Sequence, residues 1–331
     1  MKRYLSIAIL IWPLLVCGQD IHFSQFFAAP LITNPAQTGN FDGSVRVGGN
    51  YRDQWGSVTV PYRTFSVYTD AAIQPKKSVN RFGIGIVALN DQAGDGLLTT
   101  NKVHMNLAYH IGYIEKDAVR FAVGLQGGFV QKSYDLSKLI FDSQWNDYTF
   151  DPNISNNETG LTEQLDYADV GVGALLTLIP YAGERYVFGA SATHINAPTE
   201  SFLGVTNQVG VRYSVTAGGF FAVNGIASVQ PQIYVSTQKK ALEVIAGSNF
   251  SVPMGEDGSA SALFAGVWYR YNDAAWLVGG AQLDKFTFSL SYDVNLSKLR
   301  TASNNLGGLE LAATYTFGSP QKRDPLVCPA Y

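Results

Sequence analysis

The chain has 331 residues, 15% of them charged and 13% aromatic, with a formal net charge of −3. A soluble domain carries about a quarter charged residues, so this chain is poor in charge, and its acidic balance argues against a nucleic-acid partner. No run of about 18 apolar residues lies beyond the first 18 positions, which excludes a helical membrane protein.

Lys2 and Arg3 open the chain, Leu5 to Val16 is apolar apart from Ser6 and Pro13, and Val16-Cys17-Gly18 precedes Gln19. This pattern predicts a cleavable export signal over 1–18. A rival reading makes Cys17 a lipidated cysteine, although Val16 is large for the residue that precedes such a site. With 1–18 removed, only Cys328 remains, so an internal disulfide is excluded. Residues 19–42 are polar and aromatic, with Pro30 and Pro35. They are expected to form a plug-like segment packed in or against a lumen, in or over its periplasmic mouth. The alternative is a loose tail.

From residue 43 to 317 apolar and polar residues alternate. Strands are expected near 43–55, 60–73, 81–90, 98–114, 118–133, 167–178, 184–195, 207–221, 226–237, 241–252, 260–272, 274–282, 285–295 and 307–317. Val103, Met105, Leu107, Tyr109 and Ile111 share one face, and His104, Asn106, Ala108 and His110 the other. Val209, Val211, Tyr213 and Val215 oppose Arg212, Ser214 and Thr216. In the last strand Leu309, Leu311, Ala313, Tyr315 and Phe317 oppose Glu310, Thr314 and Thr316. Lipid tolerates no unpaired backbone group, so only helices and closed barrels span it. The fold class is therefore all-β, a transmembrane antiparallel β-barrel of about 14 strands, apolar outside and polar inside. Segments 134–166 and 196–206 are the two longest connections, and both fall on the side opposite the N-terminus, as outer-membrane barrels arrange them. Residues 318–331, with Pro320, Pro325 and Pro329, are expected to form a periplasmic tail. Pro75-Lys76-Lys77 is expected at a periplasmic turn.

Several blocks along this pattern carry a resemblance. They are Phe23-Ser24-Gln25-Phe26, Pro30-Leu31, Asn34-Pro35-Ala36, Asn50-Tyr51-Arg52-Asp53-Gln54-Trp55, Pro61-Tyr62-Arg63-Thr64, Asp135-Leu136-Ser137-Lys138-Leu139, Asp169-Val170-Gly171, His194-Ile195-Asn196-Ala197-Pro198 and Ser291-Tyr292-Asp293-Val294. In that order they resemble the PorP/SprF family of outer-membrane proteins of the type IX secretion system, found in Bacteroidetes. The 318–331 tail departs from the family pattern. The resemblance implies a role in secretion, and in gliding motility where the organism glides. It also implies partners: a secreted cargo protein such as an adhesin, recognised through its C-terminal domain, the translocon barrel, and periplasmic ring or lipoprotein components. It makes Phe23, Gln25, Pro30, Asn34, Pro35, Tyr51, Arg52, Gln54, Trp55, His194 and Asn196 candidate partner-binding residues.

Other chemistry finds little support. His22, His104, His110 and His194 are scattered without metal-ligand spacing. His104 and His110 lie about 20 Å apart along one strand face, too far to share an ion. Gly94-Asp95-Gly96 reads as a hairpin turn before it reads as a calcium loop. No Gly-x-Ser-x-Gly elbow is present, so no catalytic, metal or cofactor residues are assigned. Asp142, Asp147, Asp151, Glu158 and Glu163 surround Trp145, Tyr148 and Phe150 in the longest loop. That loop is either a solvated surface or a protein-recognition surface with those three aromatics as anchors. Three functions compete: a non-enzymatic secretion adaptor, a small-molecule porin or uptake barrel, and an outer-membrane enzyme, for which no clustered acid, base or nucleophile is found.

Overall fold

A strand that is apolar on one face hides its backbone from lipid only if both its edges are paired, and a set of such strands does so only by closing first to last. The computed structural model describes residues 20–318 apart from 57–59, 76–77, 113–117, 147, 152, 156–161, 203–206, 224, 255–260 and 299. It closes in this way. The strands are β1 (Val45–Gln54), β2 (Tyr62–Ile73), β3 (Arg81–Ala93), β4 (Leu98–Gly112), β5 (Val119–Ser133), β6 (Gln164–Leu178), β7 (Glu184–Thr193), β8 (Arg212–Val223), β9 (Ala227–Gln238), β10 (Ala241–Pro253), β11 (Ala262–Arg270), β12 (Ala274–Leu283), β13 (Phe286–Asn295) and β14 (Leu306–Phe317). Each pairs antiparallel with its sequence neighbours, and β14 returns to β1 from Val45↔Phe317 to Gln54↔Gly308. The expected signal segment 1–18, the Lys76-Lys77 turn and residues 319–331 lie outside the described residues.

The two faces separate as the alternation requires. Met105 and Leu125 point outward at 57% and 61% exposure, whereas Asn106 and Ser66 face the lumen at 0%. Two rims result. The near rim is where β1 starts. The far rim carries the connections 134–163 and 194–211, and long loops mark the outer face of such barrels.

One expected strand is shorter than its pattern. β8 begins at Arg212 rather than 207, so Val209 and Val211 lie at the rim and not in the wall. The preceding loop turns back instead. His194 and Ala197 take left-handed φ values of 58° and 42°. The Asn196 side chain then occupies the free edge of β6, donating to Ala168 O (2.7 Å) and accepting from Val170 N (3.2 Å).

The core lies between the wall and residues 20–41. Phe26 packs with Tyr234, Ile245, Phe264, Trp268, Trp276 and Val278. Phe23 packs with Ala29 and Leu89, and Leu31 with Tyr68 and Val87. Fully burying each such side chain is worth about 1.5–3 kcal/mol, which is why this segment folds inward. A turn of 3-10 helix (Phe26–Ala28), helix α1 (Pro30–Thr33) and a second 3-10 turn (Pro35–Gln37) keep it compact. Two prolines open helical turns, where a missing N–H costs nothing, and Asn34 caps the last by accepting from Ala36 N at 2.9 Å. Bare wall makes the space. A Cβ on Gly83 would lie 2.1 Å from Thr38 O, and one on Gly124 2.3 Å from Ala36 N.

Candidate functional site

The N-terminal segment follows the lumen from one rim to the other. Near the start of β1, Gly39 N donates to Asp70 Oδ2 (2.7 Å), Arg46 pairs with Asp70 (2.9 Å), and Arg81 donates to Gly39 O (3.0 Å). Halfway up, Asn34 Nδ2 donates to Ala174 O (3.0 Å) and Ala190 O (3.2 Å), and Gln126 Nε2 donates to Leu31 O (3.2 Å). Higher still, the Glu310 carboxylate accepts Ser24 N and Gln25 N, both at 2.8 Å. At the far rim Asp20 contacts Lys102, His194 Nε2 (3.1 Å) and Arg212 Nη1 (3.7 Å). The segment's contacts therefore run up the lumen from the near rim to the far rim.

Charge concentrates around the plug's upper end. Glu243 lies 3.2 Å from Arg270 Nε, 3.6 Å from Arg212 and 3.1 Å from His22. Asp293 lies 3.4 Å from Arg52 and accepts from Ser24 Oγ at 2.7 Å. His194 and His104 share Asp169, at 2.7 and 3.0 Å. Burial opposes ionisation of Asp20, but Lys102, His194 and Arg212 override it and hold its carboxyl well below the usual range. Burial, with Arg270, Arg52 and Arg212 nearby, pushes His22 down to about 4 despite Glu243. His194 is also disfavoured as a cation by burial, yet its bonds to Asp169 and Asp20 outweigh that and raise it to about 9. Among the described residues no group of three His, Cys, Asp or Glu is disposed to hold a metal ion.

The far rim is partly covered and partly open. Glu200, on the loop that precedes β8, pairs with Lys132 (2.7 Å) and lies 3.4 Å from Tyr167 OH. Both partners are on lumen-facing positions, so this loop leans over the outer mouth. The β5–β6 loop stands apart. Trp145 and Phe150 form an antiparallel bridge, and Asn146 N donates to Thr149 O (3.1 Å), making a small hairpin. Ile140, Trp145 and Tyr148 are exposed by 73%, 57% and 87%.

The residues singled out from the sequence thus divide. Phe23, Gln25, Pro30, Asn34 and Pro35 are buried in the plug, and Gln25 alone bonds Ser289, Ser291 and Glu310. Arg52 and His194 face the lumen and grip it, Arg52 donating to His22 O at 2.7 Å. Gln54 and Trp55 end β1 at the far rim, where Trp55 takes φ 61° and meets Tyr62 edge-on at 5.1 Å. Tyr51 points outward with its hydroxyl 3.4 Å from Asp53. Trp145, Tyr148 and Asn196 are solvent-facing and Phe150 is half-buried. Sequence reasoning missed Asp20, Lys102, Asp169, Glu243, Arg270 and Asp293 as a network. The available signal was charge at inward parity in a chain otherwise poor in charge.

No curated protein matches the chain. Among solved structures, it is similar to the Ralstonia pickettii toluene transporter TbuX at 12% identity, covering 88% of this chain and 94% of that one with a TM-score of 0.53. It is likewise similar to the Pseudomonas putida toluene transporter TodX at 14% identity, covering 87% and 92% with a TM-score of 0.51. At such identities the likeness speaks to the fold, that of an outer-membrane barrel. A family model described as "Type IX secretion system membrane protein PorP/SprF" matches residues 16–315. That span takes in the plug, its polar anchors and nearly the whole barrel, and the chain therefore belongs to the PorP/SprF family of type IX secretion system membrane proteins.

Proposed function

We propose that this barrel is a non-enzymatic adaptor for the secretion or surface display of a large cargo protein, such as a gliding adhesin, in the outer membrane of a Bacteroidetes cell. In this reading the cargo's C-terminal domain meets the far rim, and the translocon barrel and periplasmic ring or lipoprotein components meet other faces. One observation carries the reading: the lumen is occupied from rim to rim while exposed aromatics stand at the far rim beside it. An adaptor works by contact, and Trp145 and Tyr148 are the side-chain types that anchor protein interfaces. A small-molecule uptake barrel needs a continuous passage, and the plug's contacts along the lumen weigh against one.

The test is a deletion strain. The cargo should be made but missing from the cell surface, while other type IX cargo still exits. The double change Trp145→Ala with Tyr148→Ala should reproduce the surface defect without loss of folded barrel. Normal display of every cargo in the deletion strain would defeat the adaptor reading, and large stable conductance of the purified protein would revive the uptake one.

A further inference from the structure

The outward face of the wall is not uniform at the far rim. On β8, β11 and β13 the outward positions nearest that rim are Tyr213, Tyr269 and Val294, so apolar side chains reach the strand ends. β3 to β6 are longer, at 13, 15, 15 and 15 residues against 9 for β11 and 10 for β13. Across these four strands the outward row Ala88, Val103, Phe129 and Ala168 is followed, two positions farther along each strand, by Asn90, Asn101, Gln131 and Asp166. The next row, Gln92, Thr99, Ser133 and Gln164, is polar as well.

These two polar rows form a band about 14 Å across and about 7 Å tall, from the spacing of strands and of alternate residues. Hydrocarbon offers polar groups no partners, so the band stands directly above the lipid tails that cover the exposed Val103 and Phe129. The band is also ordered. Asn90 Nδ2 donates to Asn101 Oδ1 (2.7 Å), and Asn101 Nδ2 donates to Gln131 Oε1 (3.5 Å), so a ladder of side-chain amides crosses three strands. Each amide has two donors and two acceptor sites, and Asn101 uses one of each within the ladder. None of the eight side chains is Lys, Arg or aromatic, and their single charge is the acidic Asp166.

The geometry points to this band as a binding surface for the neutral sugar headgroup of an outer-leaflet glycolipid, whose acyl chains lie against Val103 and Phe129. A sugar hydroxyl both donates and accepts, and the side-chain amides and the hydroxyls of Thr99 and Ser133 offer the same in return. The ladder holds its amides in place beforehand, so little side-chain freedom is lost on binding. A phosphate headgroup calls for guanidinium or ammonium partners, and the band supplies neither. A protein interface is anchored by aromatic residues and arginine, and the band again has neither. The inference does not rest on the adaptor reading, because it concerns the lipid-facing wall and is tested on purified protein.

The experiment places the full-length protein in phosphatidylcholine nanodiscs that contain equal minor amounts of digalactosyl diacylglycerol and phosphatidylglycerol. The protein is then transferred to mild detergent, and native mass spectrometry counts the lipids that stay bound. The glycolipid should be retained in preference to both phospholipids. Asn101→Ala with Gln131→Ala should lower its retention about fivefold to a hundredfold, the range for losing two neutral hydrogen bonds. Gln131→Lys, which supplies the missing cation, should shift the preference toward phosphatidylglycerol, and a heat-modifiability gel confirms that each variant remains a folded barrel. Equal retention of glycolipid and phosphatidylglycerol by the wild type, or unchanged glycolipid retention by the folded double alanine variant, would overturn the assignment. So would a protein that co-purifies from native membranes with the wild type but not with the double variant while glycolipid retention stays the same, since the band would then be a protein interface.

Discussion

Replacing Glu310 by alanine removes the carboxylate that holds the plug where it bends toward the far rim. Glu310 is 1% exposed, and its two oxygens accept the backbone N–H groups of Ser24 and Gln25, both at 2.8 Å. A typical hydrogen bond contributes about 0.5–1.5 kcal/mol, so two of them hold this bend with about 1–3 kcal/mol. At 1.4 kcal/mol per factor of ten, the released state of the plug should rise about fivefold to a hundredfold. Glu310→Gln keeps one accepting oxygen but sets an amide NH2 against the second donor, and should fall between. Planar-bilayer recording reads the result. Wild-type protein should be silent, Glu310→Ala should show transient or sustained openings, and Glu310→Gln should show fewer. If Glu310→Ala stays as silent as wild type while still running as a folded barrel, this carboxylate does not hold the plug and the energetic argument fails.

Leu290→Arg places a charge on the lipid face near mid-strand and should destabilise the inserted barrel by about 2–4 kcal/mol. Ser289→Ala, one residue away and facing inward, removes only a 2.6 Å bond to Gln25 Oε1, and a folding titration in lipid should separate the two clearly. A charge at Ser214, although it faces the lumen and not lipid, should also be costly, since Ser214 is buried with its hydroxyl 3.2 Å from Tyr234 OH. Gly124→Ala forces a side-chain carbon against the plug backbone and should expose residues 20–41 to protease while leaving the barrel intact. Unchanged cleavage would show that the wall yields instead. Plug retention should also weaken toward both acid and alkaline pH. His22, held down at about 4, loses its contribution as pH falls from 6.5 toward 4, because the released form takes up a proton that the seated form refuses. Against its burial, His194 is raised to about 9, first by Asp169, which stays beside it in the wall, and next by Asp20 of the plug; only the share due to Asp20 bears on retention, and it is lost as pH rises through 9. Channel openings that increase in one direction only would contradict one of these two assignments.

Lipid imposes a period of two on every spanning strand, and that constraint is local enough to be legible in residues 43–317. It placed fourteen strands, turned Met105 and Leu125 outward and Glu310 and Asn106 inward, and required closure because open edges cannot face hydrocarbon. Where a side chain satisfied the edge, as that of Asn196 does for β6, the alternation at Val209 and Val211 was misleading. The contents of the lumen follow no such period. Ser24 meets Glu310 across 286 positions and Asp20 meets His194 across 174, and His104 and His194 converge on one carboxylate although the sequence shows them as scattered. Those pairings depend on how far around the closed wall each strand stands and how high the plug climbs. Curvature and strand stagger settle both, and only the assembled barrel has them.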